Sequence, residues 1–515
     1  MLQIRVICLL QETAASRTPP PEPPPPPLET MRFTIPLRPA RSAAFAAALC
    51  VVLAGCADTF SADESIPAQA RVASTGKLRN GTLIDGALRP ASSEGSLVAG
   101  KKSTALHLVI GLDEQRILER YGTVSTNRIL ERYGAVSSNR ILERYRILER
   151  YRILERYRIL ERYRILERYR ILERYKFAGG FFGVAIEVSD QMGENDFRAL
   201  LDALQEDEDV LWIEPDFQLT MPASADVPRS GAQDLPWGVA FIGGAESSAA
   251  SGDGAGSVDV DVFVIDSGVS SDDVNLVEAK SFAPGFEEDA TDADGHGTHV
   301  AGTIAALDNR RGVVGVAPGA RIHSLKVFSP DGTADESTVA AALEHVILYK
   351  QANSDRPVVV NLSLGENIGT TDYTSLDEAV ASAIAQGITV VTAAGNHGVD
   401  ASLVTPAHVD GALTVGAHDA LGAFADFSNH GAGVDVLAPG VSIQSLSPGA
   451  ANRPAWMTGT SMAAPHVAGA AALYLSRHPT ASPDEVARAI RSGARAGVRS
   501  APASTTDHSA WAGGF

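Results

Sequence analysis

Cysteine is nearly absent from this chain. Its 515 residues include three, Cys8, Cys50 and Cys56, so no disulfide can staple anything beyond residue 56. Basic charge is also short: 43 Lys and Arg stand against 62 Asp and Glu, a net charge of −19. Between Trp237 and Phe515 there are 31 acidic and 13 basic side chains. A general nucleic-acid binder needs a basic face and is excluded. Long apolar runs are missing too. The run Ala43–Ala54 is too short to cross a bilayer, which excludes a multi-span membrane protein. What is present, 45% hydrophobic and 20% charged residues, is the composition of a folded globular chain, long enough for roughly three units.

The first fifty-odd residues read as an address. Pro19–Pro27, broken only by Glu22, cannot pack a core, and residues 1–30 are expected to precede the true start at Met31. From Met31 a short basic stretch (Arg32, Arg38, Arg41) leads into Ala43–Ala54, the pattern of a signal peptide over residues 31–56. Its end, Leu53-Ala54-Gly55-Cys56, resembles a bacterial lipobox and implies a lipid on Cys56. The plainer alternative is a secretory signal with an incidental cysteine. Both readings export the protein. Residues 57–103, rich in small polar residues, are expected to be a flexible tether.

Residues 104–220 read as a small α+β unit. Strands are expected at 104–110, 181–188 and 210–213, and a helix at 197–204. Within residues 116–175 the hexapeptide Arg-Ile-Leu-Glu-Arg-Tyr recurs eight times, beginning at 116, 128, 140, 146, 152, 158, 164 and 170. It lacks Gly and Pro and could be helical. Six residues, however, advance a helix by about 600°, so successive apolar clusters share no face. The repeat reads as a tandem expansion without a selected role; the alternative is a basic arm, each copy carrying one net positive charge.

Beyond residue 236, short β-branched runs alternate with Ala-rich stretches. Runs at 258–265, 321–328, 358–361, 388–392 and 413–415 read as parallel strands buried on both faces. Helices are expected at 337–350, 375–386 and 482–491, the last two opened by capping boxes at Ser375/Glu378 and Ser482/Glu485. The fold class is therefore α/β, a doubly wound, mostly parallel sheet, and such sheets bind ligands at the carboxyl ends of their strands. Motifs sit at those ends: Asp266-Ser267-Gly268, then Asp294-Gly295-His296-Gly297-Thr298-His299, Asn361-Leu362-Ser363-Leu364-Gly365, Ala393-Ala394-Gly395-Asn396, and Gly459-Thr460-Ser461-Met462 opening a helix.

These residue types suit acyl transfer. A serine hydroxyl needs a base to become a nucleophile, imidazole serves near neutral pH, and a carboxylate fixes its tautomer. Backbone N–H groups at a helix start and an Asn amide can hold the developing oxyanion. His299 and His466 are alternative bases, expected instead to be structural.

The motifs, over residues 235–495, resemble the subtilase family of serine proteases, in particular its proteinase K-like branch. The resemblance implies Asp266 as orienting carboxylate, His296 as general base, Ser461 as nucleophile and Asn396 in the oxyanion hole. It implies peptide binding along Ser363, Leu364 and Gly365, with Ala393, Ala394 and Gly395 walling the first specificity pocket and Asp331–Thr333 opposite. Asp435, with carbonyls near Asp410 and Ala412, matches a possible Ca²⁺ site, and Glu287, Glu288, Asp289, Asp292 and Asp294 form a second candidate whose plain reading is a solvated loop. No cofactor is required for the chemistry itself. Residues 181–216 resemble the family's propeptide, an inhibitor and folding helper cut away somewhere in 217–236. The implied protein is a monomeric, exported serine endopeptidase acting on polypeptides, made as a membrane-anchored lipoprotein precursor and released on maturation. The rivals are a non-proteolytic envelope lipoprotein and a zymogen that the repeat prevents from maturing. Residues 496–515 carry no readable signal.

Overall fold

The computed structural model describes residues 81–84, 87–90, 106–113, 116, 136–137, 171–177, 181–188, 192, 194–207, 210–220, 225–226, 233–449 and 454–515. The expectations for the proline run, the signal peptide and Cys56 lie outside them. The tether reading needs correction: Gly81–Ile84 and Ala87–Pro90 pair as an antiparallel hairpin. The Asp85-Gly86 dipeptide between them is a strong hairpin signal that the small-residue composition obscured.

The larger sheet is built as the apolar runs require. Its spatial order is Asn275–Ser281, Arg321–Lys326, Asp261–Asp266, Val358–Leu362, Thr389–Ala393, Leu413–His418, Val436–Pro439, His508–Ser509 and Arg495–Ala496. Neighbours are parallel up to His508–Ser509, and only the last pair is antiparallel. Successive side chains of one strand face opposite layers. Val262 and Val264 pack with helices His296–Ala305, Thr460–Arg477 and Pro483–Gly493, whereas Phe263 and Ile265 pack with Glu336–Ala352 and Ser375–Ala385. Both faces are covered, which is the doubly wound arrangement. The tail is not an appendage: its two short strands close one edge of this sheet, and Phe515 and Tyr474 pack edge to face.

The Ser482/Glu485 capping box forms as expected. The other is displaced by one residue, to Thr374 and Asp377, because Asp377 reaches back to the Thr374 N–H at 2.7 Å. The Ser375 N–H is thereby left for a carboxylate from elsewhere in the chain.

The smaller sheet has the order Val136–Ser137, Ile171–Phe177, Gly183–Val188, Leu106–Leu112, Val210–Pro215. Helix Glu194–Glu206 covers one face through Phe197, Leu200, Leu201 and Leu204. The last repeat copy is a strand rather than a helix. It lies between two strands of the sheet, and tertiary pairing overrides the helical preference of its Leu, Glu and Arg.

Candidate active site

Asp266 ends a central strand, buried, and His296 begins a helix thirty residues later. The His296 Nδ1 lies 2.8 Å from Asp266 Oδ1. A carboxylate only accepts, so Nδ1 carries the proton and Nε2 presents its lone pair. Nε2 has no partner among the described residues. Burial pushes the imidazole pKa down, but the Asp266 charge and hydrogen bond outweigh it and leave it raised.

Two local devices make this contact possible. Gly297 lies against the turn after Asp266, where a Cβ would stand 2.1 Å from the Gly268 carbonyl oxygen. Asp292 ties the helix start to the same turn. Its Oδ1 accepts from Ser267 Oγ at 2.9 Å and the Gly295 N–H at 2.8 Å, and its Oδ2 from the Thr298 N–H at 2.8 Å. In the sequence Asp292 stands in an acidic run, as one member of a candidate Ca²⁺ site or a solvated loop. It is a buried positioning residue, and its spacing to Thr298 was the available signal.

Ser461 is the second residue of the helix Thr460–Arg477. Its hydroxyl donates to the Ser363 carbonyl oxygen at 3.3 Å, while Ser363 Oγ donates to the Ser461 carbonyl at 2.7 Å. Ser363 is itself held by the Asn361 amide at 2.9 Å. The strand-end segment Ser363-Leu364-Gly365 and the serine helix are thus locked together. The Asn396 Oδ1 accepts from the Thr460 N–H and hydroxyl at 2.8 and 2.9 Å, which turns the amide Nδ2 to the other side. Ala393 and Ala394 are buried, and Gly395, at φ 99°, leaves no room for a side chain: its Cβ would meet Asn429 Nδ2 at 2.3 Å. Asn429 also donates to the Ala394 carbonyl and accepts from the His397 and Val399 N–H groups. Asn429 and Thr460 are the wall's supports, bonds that no local pattern in the sequence reveals.

The alternative bases are structural. His299 Nε2 bonds the Ile443 carbonyl and its pKa falls to about 3 through burial; His466 Nδ1 bonds the Met462 carbonyl and its pKa falls to about 4 for the same reason.

Neither candidate calcium site fits the ion. The Asp435 Oδ1 accepts from Arg491 at 2.9 Å and its Oδ2 from the Thr414 N–H at 2.9 Å, so a guanidinium already supplies its counter-charge. The oxygens of Asp292 are spent on the bonds above, Asp289 binds Thr291, and Asp294 accepts from the His296 N–H. A Ca²⁺ site gathers six to eight oxygens, whereas both oxygens of Asp435 and of Asp292, and one each of Asp289 and Asp294, are committed elsewhere.

The smaller unit reaches into this region. Asp216 accepts from the Ser337 N–H at 2.9 Å, at the start of helix Glu336–Ala352. Glu214 accepts from the Ser375 N–H at 2.6 Å, the donor left over by the displaced capping box. Gln218–Thr220 then pairs antiparallel with Thr333–Asp335 and lies close to Glu366–Asn367, just beyond Ser363-Leu364-Gly365, with Leu219 buried. Ala225–Asp226 pairs with Ala455 and Trp456, a few residues before Ser461.

Comparison with known proteins identifies the family. A family model described as "Subtilase family" matches residues 212–509. The chain belongs to the subtilase family. An alkaline protease of Alkalihalobacillus alcalophilus is 41% identical over 281 residues, 54% of this chain and 67% of that protein. Subtilisin BL of Lederbergia lenta is 44% identical over 250 residues, 48% of this chain and 87% of the relative. A crystal structure of a cold-adapted subtilisin-like serine proteinase aligns with TM-score 0.46 and 32% identity, covering 54% of this chain and 98% of that one. This subtilase is a subtilisin-like serine endopeptidase, with polypeptides as substrates.

Asp292→Ala should remove several buried hydrogen bonds at once. We expect a loss of about 3 kcal/mol in stability, read as a lower thermal midpoint, with residual activity falling because the His296 helix start is no longer tied down.

Proposed function

We propose that Asp266, His296 and Ser461 form the catalytic triad and that Asn396 completes the oxyanion hole. The observation that carries this is the buried Asp266–His296 hydrogen bond, which leaves Nε2 as acceptor at the carboxyl end of the sheet. In the first step Nε2 takes the proton from Ser461 Oγ as that oxygen bonds the scissile carbonyl carbon. The hydroxyl leaves its bond to the Ser363 carbonyl to do so. Asp266 stabilises the imidazolium, while the Ser461 N–H and Asn396 Nδ2 receive the charge on the carbonyl oxygen. His296 then protonates the leaving amine. Water, deprotonated by the same Nε2, releases the acyl group. The buried wall of Ala393 and Ala394 beside Gly395 favours an uncharged side chain in the first pocket. The edges at Ser363–Gly365 and Thr333–Asp335 bind an extended peptide by strand addition.

The chain is a zymogen in this reading, and residues 104–220 are its propeptide. The antiparallel pairing of Gln218–Thr220 with Thr333–Asp335, and of Ala225–Asp226 with Ala455 and Trp456, supports a maturation cut between Thr220 and Ala225, inside the broader 217–236 window. We also place the protein outside the cytoplasm, anchored as a precursor through lipid on Cys56 and released by that cut. It is a monomer that does not bind nucleic acid. Within its family we assign it to the proteinase K-like branch on the motif resemblance, although Asp435 does not offer the calcium site expected there.

Three outcomes test this. Mass spectrometry of chain expressed from Met31 should find a fragment beginning within residues 221–225, absent in Ser461→Ala, and that variant should lose about 10⁴-fold or more in peptide hydrolysis. A fragment beginning elsewhere contradicts the placing of the cut, and one also formed by Ser461→Ala contradicts autocatalysis. The acid limb of kcat/KM should have its midpoint above about 6.5, since the raised imidazole pKa must be passed before Nε2 is free; Asp266→Asn should move it down.

The third concerns inhibition by the propeptide. Burial, and then the Asp335 charge, raise Asp216 to about 6, while burial and the Glu214, Asp377 and Asp216 charges push Glu336 well above the carboxylate range. Asp216 and Glu336 hold extra protons while docked, so their contribution to docking weakens as pH rises through about 6 and beyond, whereas Asp335, lowered beside His107 and Arg174, takes from docking only in acid, below the usual carboxylate range. Freshly processed enzyme should therefore stay inhibited longer at about pH 5 than at about pH 8, and Glu336→Gln should flatten the difference.

A further inference from the structure

The repeat has a contact that its sequence did not advertise. The eighth copy, Arg170–Tyr175, supplies most of the strand Ile171–Phe177. The register against Gly183–Val188 shifts between Glu173 and Tyr175, which makes Arg174 an extra, bulged residue. A bulge re-aims side chains, and here two consecutive residues both reach the catalytic domain. Arg174 bonds Asp216 at 3.1 Å within its own unit and Asp335 at 2.7 Å across the interface. Tyr175 Oη donates to the Phe282 carbonyl at 2.9 Å and lies 3.2 Å from Thr338 Oγ1. His107, Asp216 and Asp335 converge as metal ligands would, but the guanidinium occupies their meeting point, with His107 Nδ1 accepting from it at 2.9 Å. The cation of this cluster is Arg174.

We propose that the catalytic domain reads one Arg-Ile-Leu-Glu-Arg-Tyr unit, through its second Arg and its Tyr, and that the tandem copies are interchangeable occupants of this one strand position. Two properties of the sequence carry the second half. Gain or loss of whole copies leaves the docked sequence through Lys176 and Phe177 unchanged, because the unit next to Lys176 is always the same. A shift by six residues, the length of one unit, brings the same Arg and Tyr back to the bulged position and its neighbour. That shift would put Arg168 and Tyr169 where Arg174 and Tyr175 stand, Arg170 for Lys176 and Ile171 for Phe177. It would exchange the buried Phe177, whose ring lies 4.5 Å from Phe181, for an isoleucine and lengthen the loop to the next strand, so the eighth copy is the preferred occupant. The repeat is thus a reserve of docking strands, and expansion is tolerated because it cannot remove the clamp. The docking does not depend on proteolysis; only its consequence for maturation rests on the zymogen reading.

The test uses full chains made uncleavable by Ser461→Ala, so a failed triad assignment cannot disturb it. Four are compared: with residues 140–169 native or replaced by a Gly/Ser linker of equal length, which keeps the parallel partner Val136–Ser137 within reach of the strand, each with and without Arg174→Ala plus Tyr175→Phe. The readout is amide hydrogen exchange in Leu106–Leu112, a strand outside the repeat. Replacement alone should leave exchange within about twofold, since one unit suffices. The double substitution should accelerate it by about a hundredfold in the linker chain, where Asp216 and Asp335 lose their buried cation, and by about tenfold or less in the native-repeat chain, where the preceding copy moves in. A residue that only shored up the sheet would give the same loss in both. Arg174→Lys should give a smaller effect in the linker chain. Equal acceleration with and without the upstream copies overturns interchangeability. Loss on replacement alone, or no acceleration in either chain, overturns the clamp.

Discussion

A single buried hydrogen bond, from His296 Nδ1 to Asp266, constrains much of the catalytic domain. To form it, a strand end and a helix start thirty residues apart must meet within van der Waals contact. Gly297 allows the approach, Asp292 ties the two backbone segments together, and the parallel sheet sets Asp266 at the edge where the serine helix also begins. The same bond fixes the imidazole tautomer and raises its basicity, so positioning and reactivity come from one contact.

A second constraint is the supply of donors at helix starts. The helices Glu336–Ala352 and Ser375–Ala385 begin where the smaller unit docks, and their N–H groups are met by carboxylates from it, Asp216 and Glu214. This gathers several acids in a buried interface. Arg174 neutralises two of them, while Glu336, buried beside Glu214, Asp377 and Asp216, is forced toward its protonated form. The interface is therefore held by a balance of caps, one guanidinium and retained protons, a balance that shifts with pH as the groups ionise.

Most of the catalytic domain was legible in the sequence because its signals are local. Buried parallel strands are near-continuous apolar runs, and the residues around Asp266, His296, Asn396 and Ser461 sit within short motifs at strand ends. What was not legible depends on partners distant in the chain. The capping box moved to Thr374 because Asp377 fits the Thr374 N–H and Glu214 takes the donor at Ser375. Asp435 looked like a calcium ligand until Arg491, fifty-six residues on, was seen to pair with it. The last hexapeptide has a helix former's composition, yet a sheet on both sides of it decides otherwise. The C-terminal strands are two residues each, too short for any periodicity to reveal them. Asn429 lies more than thirty residues from the pocket wall it holds, so its bonds to Ala394, His397 and Val399 are visible only in three dimensions.

The account's central claim is that Ser461 is made nucleophilic by His296. Its most direct test is the labelling of the processed enzyme with a small sulfonyl fluoride, followed by peptide mapping. One adduct per chain on Ser461, absent in folded His296→Ala, is the predicted result. A folded enzyme that leaves Ser461 unlabelled, or that labels it equally fast without His296, would contradict the claim.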